Sequence, residues 1–556
     1  MGLGFIAYID HMRLPGCVKM GERLASGSSG SSGYAGFTHS DVDYAGSAWG
    51  EYVASVSVDS GGKGTAGRPR YHKEMNVRRI IAALLAVTLG THAPIGLAQN
   101  LPDLGETAQG SLSPQTERRI AELIMRDIRR DPSFIDDPEV GAYLDSIGRR
   151  LVAVSPDARA DFEFFGIRDP SINAFAMLGG LVGVNSGLIL SAQSESEFAG
   201  VVAHEVAHVT QRHIARQLER QSQLSLPLIA AMLVGVLAAR SNPQIAQAAI
   251  VGAQAAAIQA SINYTRDFER EADRVGFSLL EQAGFDVNGM PDFFGRLQRA
   301  TRLVESNAPS YLRTHPLTTE RMADLQNRAA QARYRQRPDS LEFQLVRARL
   351  RAAQGSPREA VTAFETQLRD RRFSSEPSAR YGLAMAFWRN REWRRAEQEL
   401  AEARRVAGPH AMFETLGASI KRGAGQMVAG RDQLVQANRQ FGAVFYVQMA
   451  LMDMQHGLGD HRAAIKLGND LLASHPRNHS LRGMLARNHA GLGERAAQHR
   501  QQAEAYFLTG ALPAAIEQLG FARSSPDADF YIQSSIDARL REMRAIYEEE
   551  KKTPIR

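Results

Sequence analysis

The sequence predicts an α+β fold that is mainly α: a domain with a small sheet and a histidine-bearing helix, followed by an array of helical hairpins. Three observations point there. Residues 203 to 213 read A-H-E-V-A-H-V-T-Q-R-H within a capped helical pattern, short apolar strands broken by glycines precede them, and from residue 340 helices of similar length recur with small residues at fixed offsets. The chain has 556 residues, 44% hydrophobic and 23% charged, an ordinary globular balance and too long for one ordinary domain. Its net charge of +6 is small for that length and not gathered into a stripe, although 338–405 is rich in arginine, so no nucleic-acid partner is expected.

Residues 75 to 99, MNVRRIIAALLAVTLGTHAPIGLAQ, begin with a second Met, carry Arg78 and Arg79, run apolar from Ile80 to Leu89 and end in small residues around Gly96 and Ala98. That is the plan of a signal peptide over 75–98, cut after Ala98. The apolar run is about half of the roughly 20 residues needed to span a bilayer, which disfavours an anchor. An export signal has to open the nascent chain, so 1–74, with SGSSGSSGYAG and SGGKGTAGR, reads as a non-native or disordered extension. The only cysteine, Cys17, lies in that extension. Disulfides, thiolate ligands and a Cys nucleophile are therefore not expected in the mature chain.

A first domain is expected over 99–335. Ser113-Pro114 opens an amphipathic helix with Ile120, Leu123, Ile124 and Ile128 on one face, and Asp137-Pro138 opens a second. FEFFGIRD, from Phe162, reads as a strand; SINAFAMLGGLVGVNSGLI, from Ser171, reads as two short strands joined at Gly179-Gly180. Ser194 and Glu197 form a capping box that opens a helix expected to run to about residue 220. The apolar run from Leu224 and the Ala-rich run from Ile245 to Ile262 read as packed or lid helices, with peripheral membrane contact as the alternative; Pro227 and Gly235 rule out a full span.

Residues four apart on a helix share a face, so His204 and His208 can offer two imidazole nitrogens to one ion, while Glu205, about 100° around, can reach a water activated by that ion. This is zinc-hydrolase chemistry, with one Zn2+ per chain expected. Counting at about 100° per residue puts His213 on the opposite helix face, and Gln211 and Ile214 stand where a metzincin pattern needs Gly and His. His213 is therefore read as a structural or surface residue. A third ligand has to come from elsewhere, and DFEREADRVGFSLLEQAGF, from Asp267, is the best source. In it Glu269 and Asp273 share a face, while Ala272 and Gly276 are small enough for close approach to the histidine helix. Spacing alone does not choose Glu269 over Glu271. His315, held before Pro316, is biased to an extended loop.

From residue 340, GSPREA, REWRRA, GQMVAG and GDHRAA place Ala360, Ala396, Gly430 and Ala464 at steps of 36, 34 and 34. That period predicts helix-turn-helix repeats of the tetratricopeptide kind over 338–545, about four to six of them. Ala515 of GALPAA falls 51 beyond Ala464, so the register is expected to break there.

H-E-V-A-H followed some sixty residues later by Glu269, Ala272 and Asp273 resembles the gluzincin family of the CAAX prenyl proteases and HtpX-type peptidases. The likeness covers nearly all of 75–556 and is most specific over 173–322. It implies a zincin-type metallopeptidase domain in which His204, His208 and Glu269 bind Zn2+, Glu205 is the catalytic base and Asp273 orients a ligand histidine. It also implies that His315 approaches the metal, either closing the site or aiding catalysis. Peptidases of this kind commonly hold substrate as an added strand, a task that Asn173, Ala174 and Phe175 are placed to perform. The implied function is a periplasmic zinc endopeptidase in outer-membrane protein quality control. Its implied partners are unfolded or misassembled outer-membrane proteins and the beta-barrel assembly machinery. The competing expectation is a chaperone or scaffold with a largely latent zinc site. A prenyl-protein protease would need several membrane spans, for which this sequence shows no pattern.

Overall fold

The computed structural model describes residues 113–156, 161–219, 265–302, 309–333 and 335–552. The extension, the signal segment and the apolar runs from Leu224 and Ile245 lie outside the described residues. The described residues are mainly helical with one small sheet, as the sequence predicts.

Helix α1 (Pro114–Arg130) and helix α2 (Pro138–Val152) start where the caps require. Ser113 accepts from the Thr116 N–H and Asp137 from those of Glu139 and Val140, while a proline occupies the first turn, where no N–H is wanted. Three strands follow: β1 (Glu163–Ile167), β2 (Ala174–Ala176) and β3 (Leu181–Asn185). β3 lies in the middle, parallel to β1 and antiparallel to β2, so β2 forms one edge of the sheet. The reversal between β2 and β3 falls at Gly179-Gly180, whose φ angles of 72° and 84° an L side chain rarely adopts.

After α3 (Ser186–Ser191) comes α4 (Glu195–Thr210), which carries the histidine pair. Ser194 accepts from the Glu197 N–H at 3.1 Å, while the Glu197 carboxylate turns to the Gln193 N–H at 2.6 Å, so only half of the expected box forms. Almost every residue of α4 is buried, which fits a helix packed on all sides. The expected run to residue 220 is interrupted. α4 ends at Thr210, Arg212 takes a left-handed φ of 51°, and a new helix, α5, begins at 213 and is described to 219. Helix α6 (described over 265–282) lies against α4: a Cβ added to Gly276 would stand 3.0 Å from the His204 backbone nitrogen, so a side chain there would push the two helices apart by a few tenths of an ångström. Helices α7 (Gly289–Arg302), α8 (Ser310–Thr314) and α9 (Thr319–Gln331) complete the domain.

Beyond them stand α10 (Leu341–Ala352) and α11 (Pro357–Arg369), then α12 (Glu376–Arg389), α13 (Trp393–Ala407), α14 (Ala411–Gly423) and α15 (Met427–Phe441). The array continues with α16 (Phe445–Gly457), α17 (His461–Ser474), α18 (His479–Leu492), α19 (Arg495–Leu508), α20 (Leu512–Arg523) and α21 (Phe530–Lys552). Ala360, Ala396, Gly430 and Ala464 are all buried, each in the second helix of a hairpin. The turns before those helices use left-handed residues Gly355, Arg391, Gly425 and Gly459, and Gly493 repeats the 34-residue step once more. The period therefore outlasts the small-residue pattern, because Gln498 fills the equivalent place in α19. It then changes at Gly510, 17 residues on.

The array is joined to the first domain by buried and half-buried polar contacts. Arg349 of α10 reaches Asp137 and Glu139 of α2, each at 2.7 Å, and Glu139 also accepts from Tyr381 of α12 and Thr415 of α14. At the far end Arg126 of α1 pairs with Glu550 at 3.0 Å and lies over the Phe507 ring.

Candidate metal centre

α4 presents His204 and His208 on one face, and their Nε2 atoms stand 3.0 Å apart. Packing of α6 brings Glu269 to them, with Oε2 at 3.4 Å from His204 Nε2 and Oε1 at 3.5 Å from His208 Nε2. The short helix α8 delivers His315, whose Nδ1 is 3.4 Å from His204 Nε2 and 3.0 Å from Glu269 Oε1. His315 caps that helix with φ −121° and ψ 78°, in keeping with the extended bias set by Pro316. One ligand atom from each of the four side chains lies within 4.8 Å of the others, and all four residues are buried. Donors arranged tetrahedrally about one ion at about 2.0–2.1 Å stand about 3.3–3.4 Å apart, so these spacings of 3.0 to 3.5 Å fit a single metal.

The charge balance agrees. Burial opposes charge on Glu269, yet His315 and His204 hold its carboxyl well below the usual range. Burial also opposes charge on His204, but Asp273 and Glu269 outweigh it and raise the imidazole to about 9 in the protein alone. Carboxylates that attract a proton to this spot equally favour a metal cation there. His208 goes the other way: burial pushes it well below its ordinary value, leaving the neutral ring that a metal binds.

Glu205 lies on the neighbouring face, 3.5 Å from His315 Nε2, and burial raises its carboxyl above the ordinary range. Neither oxygen completes a hydrogen bond, although the Ala176 backbone and His315 are close enough to favour its ionised form. Asp273 Oδ1 is 3.1 Å from His204 Nδ1, the side away from the cluster. Asn173, Ala174 and Phe175 sit at the edge strand: Asn173 accepts from the Asn185 N–H just before β2, while Ala174 and Phe175 pair with Val184 and Gly183.

Sequence reasoning missed Arg321. It is 3% exposed, binds Asp273 through Nε and Nη2 at 2.6 and 2.8 Å, and reaches Glu269 Oε2 at 3.0 Å and the Pro316 carbonyl at 2.7 Å. One guanidinium thus ties two carboxylates of α6 to the His315 loop. The available signal was its place beside Met322 and Leu325 on the buried face of α9, where a charged residue is out of pattern.

His213 stays outside the ligand group, as read, but its expected placement on the opposite face is overturned. Its ring is buried, Nδ1 lies 2.9 Å from His208 Nδ1, and Nε2 lies 3.1 Å from Glu271 Oε2. The angular count assumed one continuous helix, and the left-handed Arg212 turns the chain back before His213. Glu271, left open as a third ligand by spacing, serves His213 and Arg216 instead, while Glu269 faces the cluster.

Comparison with known proteins agrees with this site. Residues 138–329 match the model of peptidase family M48. The beta-barrel assembly-enhancing protease of Escherichia coli K12 is 32% identical over 476 residues, covering 85% of this chain and 97% of that one. The chain belongs to peptidase family M48, among the beta-barrel assembly-enhancing proteases. A Vibrio cholerae chain provisionally given the same name is 41% identical over 326 residues, 57% of this chain and 67% of its own. A solved tetratricopeptide repeat protein from Parabacteroides merdae overlaps loosely, at TM-score 0.25 and 12% identity, over 51% of this chain and 97% of that chain. The protein is accordingly a metallopeptidase, and His204, His208, Glu269 and His315 form a group that could hold its metal ion.

Proposed function

We propose that this M48 metallopeptidase is a periplasmic zinc endopeptidase that cleaves unfolded or misassembled outer-membrane β-barrel proteins, with its helical array engaging substrates or the beta-barrel assembly machinery. The observation that carries the reading is the buried four-residue cluster, its ligand atoms within 4.8 Å of one another, with the buried Glu205, whose oxygens complete no hydrogen bond, beside it. The donor set of imidazoles and one carboxylate suits zinc. His204, His208 and Glu269 hold the ion, which when bound supplies Lewis-acid activation of the peptide carbonyl and of water.

Glu205 is the general base: it takes the proton from the attacking water and returns it to the leaving amine, a task suited to a carboxyl raised by burial. Asp273 receives the Nδ1 proton of His204 and so fixes its tautomer. The substrate backbone pairs with the edge at Asn173, Ala174 and Phe175, which selects for extended chains and ignores side-chain identity. The approach of His315 Nδ1 to His204 Nε2 and Glu269 Oε1 supports a role as fourth ligand, and on that reading the site is closed until the segment from Thr314 to Pro316 withdraws.

That closure also supports a second reading, in which the protein acts as a chaperone or scaffold for β-barrel assembly and the metal site stays largely latent. Glu205→Gln separates them. On the first reading the variant loses cleavage of an unfolded β-barrel substrate by about 100-fold or more and fails to complement a deletion strain. Full complementation by a cleavage-dead variant favours the scaffold, and undiminished cleavage removes Glu205 as the base.

A further inference from the structure

His213 and Glu271 lie outside the four-residue cluster but are joined to it through His208. We propose that Glu271 and His213 form a hydrogen-bonded relay that fixes which nitrogen of His208 carries its proton, making both of them positioning residues for the metal. The inference rests on the reading of His208 as a ligand.

The proton assignment follows from the contacts. For His208 Nε2, which faces His204 and Glu269, to offer its lone pair to an ion, the ring proton must sit on Nδ1. That Nδ1 is 2.9 Å from His213 Nδ1, so it donates there, and His213 Nδ1 must be the acceptor. The proton of His213 then belongs on Nε2, which lies 3.1 Å from Glu271 Oε2, and a carboxylate there accepts. Arg216 Nη1 donates to the same oxygen at 2.9 Å and keeps the carboxylate in place. With both histidines neutral, one arrangement of protons makes every bond in this chain. It is the arrangement that leaves His208 Nε2 free to bind the metal.

The ring of His213 is held as well as bonded. It is 2% exposed and stacks on Phe268 at 4.2 Å between centroids, with the planes 19° apart. The left-handed turn at Arg212 is what aims it: an uninterrupted α4 would carry residue 213 to the far face. The two ligand imidazoles are thus backed differently, His204 directly by Asp273 and His208 through a second imidazole by Glu271.

The test compares His213→Phe, His213→Gln and Glu271→Leu in the mature chain. Affinity for Zn2+ is measured by competition with a chromophoric chelator, and histidine tautomers are read by nitrogen NMR on histidine-labelled protein. Phenylalanine keeps the stack on Phe268 but cannot accept a proton. It is expected to weaken Zn2+ binding about 10- to 100-fold with little change in the Tm of the metal-free protein, and to leave His208 as a mixture of tautomers. Glutamine can accept from His208 and donate to Glu271, so it is expected to restore most of the affinity. Glu271→Leu, at a partly exposed position, is expected to fall between them and carries the test if His213→Phe does not fold. Binding by His213→Phe or Glu271→Leu as tight as that of the parent, or glutamine no better than phenylalanine, overturns the relay. A parent chain that binds no Zn2+ overturns the ligand reading along with it, so the two failures are distinguishable.

Discussion

The metal centre and the junction between α2 and the repeats are both buried clusters of carboxylate and arginine, and they differ in what they leave unpaired. At the junction the two oxygens of Glu139 accept from Thr415, Tyr381 and Arg349, and Arg349 is held by Asp137 as well. Burial opposes the charge of Arg349, but Glu139 and its neighbours keep it protonated well above the ordinary range. At the centre, Glu205 completes no hydrogen bond through either oxygen, and the buried hydroxyl of Tyr311 has no partner although its ring stacks on His315. Buried polar groups normally find partners, and leaving one unpaired costs about 1–3 kcal/mol. A saturated cluster reads as architecture. One that leaves polar atoms unpaired beside a group able to hold a metal reads as a place kept for a reactant.

Substitution at Glu139 should break the comparison most visibly. Glu139→Leu leaves the Tyr381 hydroxyl without its acceptor, leaves Thr415 only the Met412 carbonyl, and strips Arg349 of one of its two carboxylates. Losing one partner of a buried pair costs about 3–5 kcal/mol. The lower end, about 3 kcal/mol, is expected here because Asp137 still holds Arg349, and thermal or denaturant unfolding would register it. A loss under about 1 kcal/mol would mean that the junction is not the structural cluster its bonding suggests.

The counterpart is Glu205→Gln, which removes a buried carboxyl that no donor satisfies. Its unfolding free energy should stay within about 1 kcal/mol of the parent even as cleavage is lost. A destabilisation like that of Glu139→Leu would show that Glu205 holds the fold, and the contrast between the two clusters would collapse.

The parts of this site visible in the sequence are those set by local rules. The spacing of His204, Glu205 and His208, the Ser113 and Asp137 caps, the reversal at Gly179-Gly180 and the bias imposed on His315 by Pro316 each depend on a few neighbouring residues. The approach of α6 to α4 was legible because Gly276 has no side chain. What escaped depends on the chain folding back. No glycine or asparagine marks the left-handed turn before His213, since an arginine occupies it, and Arg321 looks like a surface residue until Asp273, Glu269 and Pro316 surround it. In the repeats the small-residue pattern ended at Ala464 while the turn geometry went on to Gly493, so the less conspicuous signal was the better guide.

The smallest expected effect comes from taking the same chemistry to the surface. Asp324 pairs with Arg328 at 2.9 Å on α9 and with Arg274 of α6 at 3.5 Å, and it is more than a third exposed. The Arg328 hydrogen bond holds its carboxyl below the ordinary value of 3.8. A lowered carboxyl stabilises the folded form above its unfolded value and loses that contribution as pH falls through the folded one, so the window lies below about pH 4. Solvent screening limits an exposed pair of this kind to about 0.5 kcal/mol. Asp324→Asn should therefore lower stability by no more than that at pH 7, and its curve should converge on the parent's as the pH is brought toward 3. A gap as large as that of Glu139→Leu would mean that burial is not what separates the strong carboxylate–arginine contacts of this protein from the weak ones.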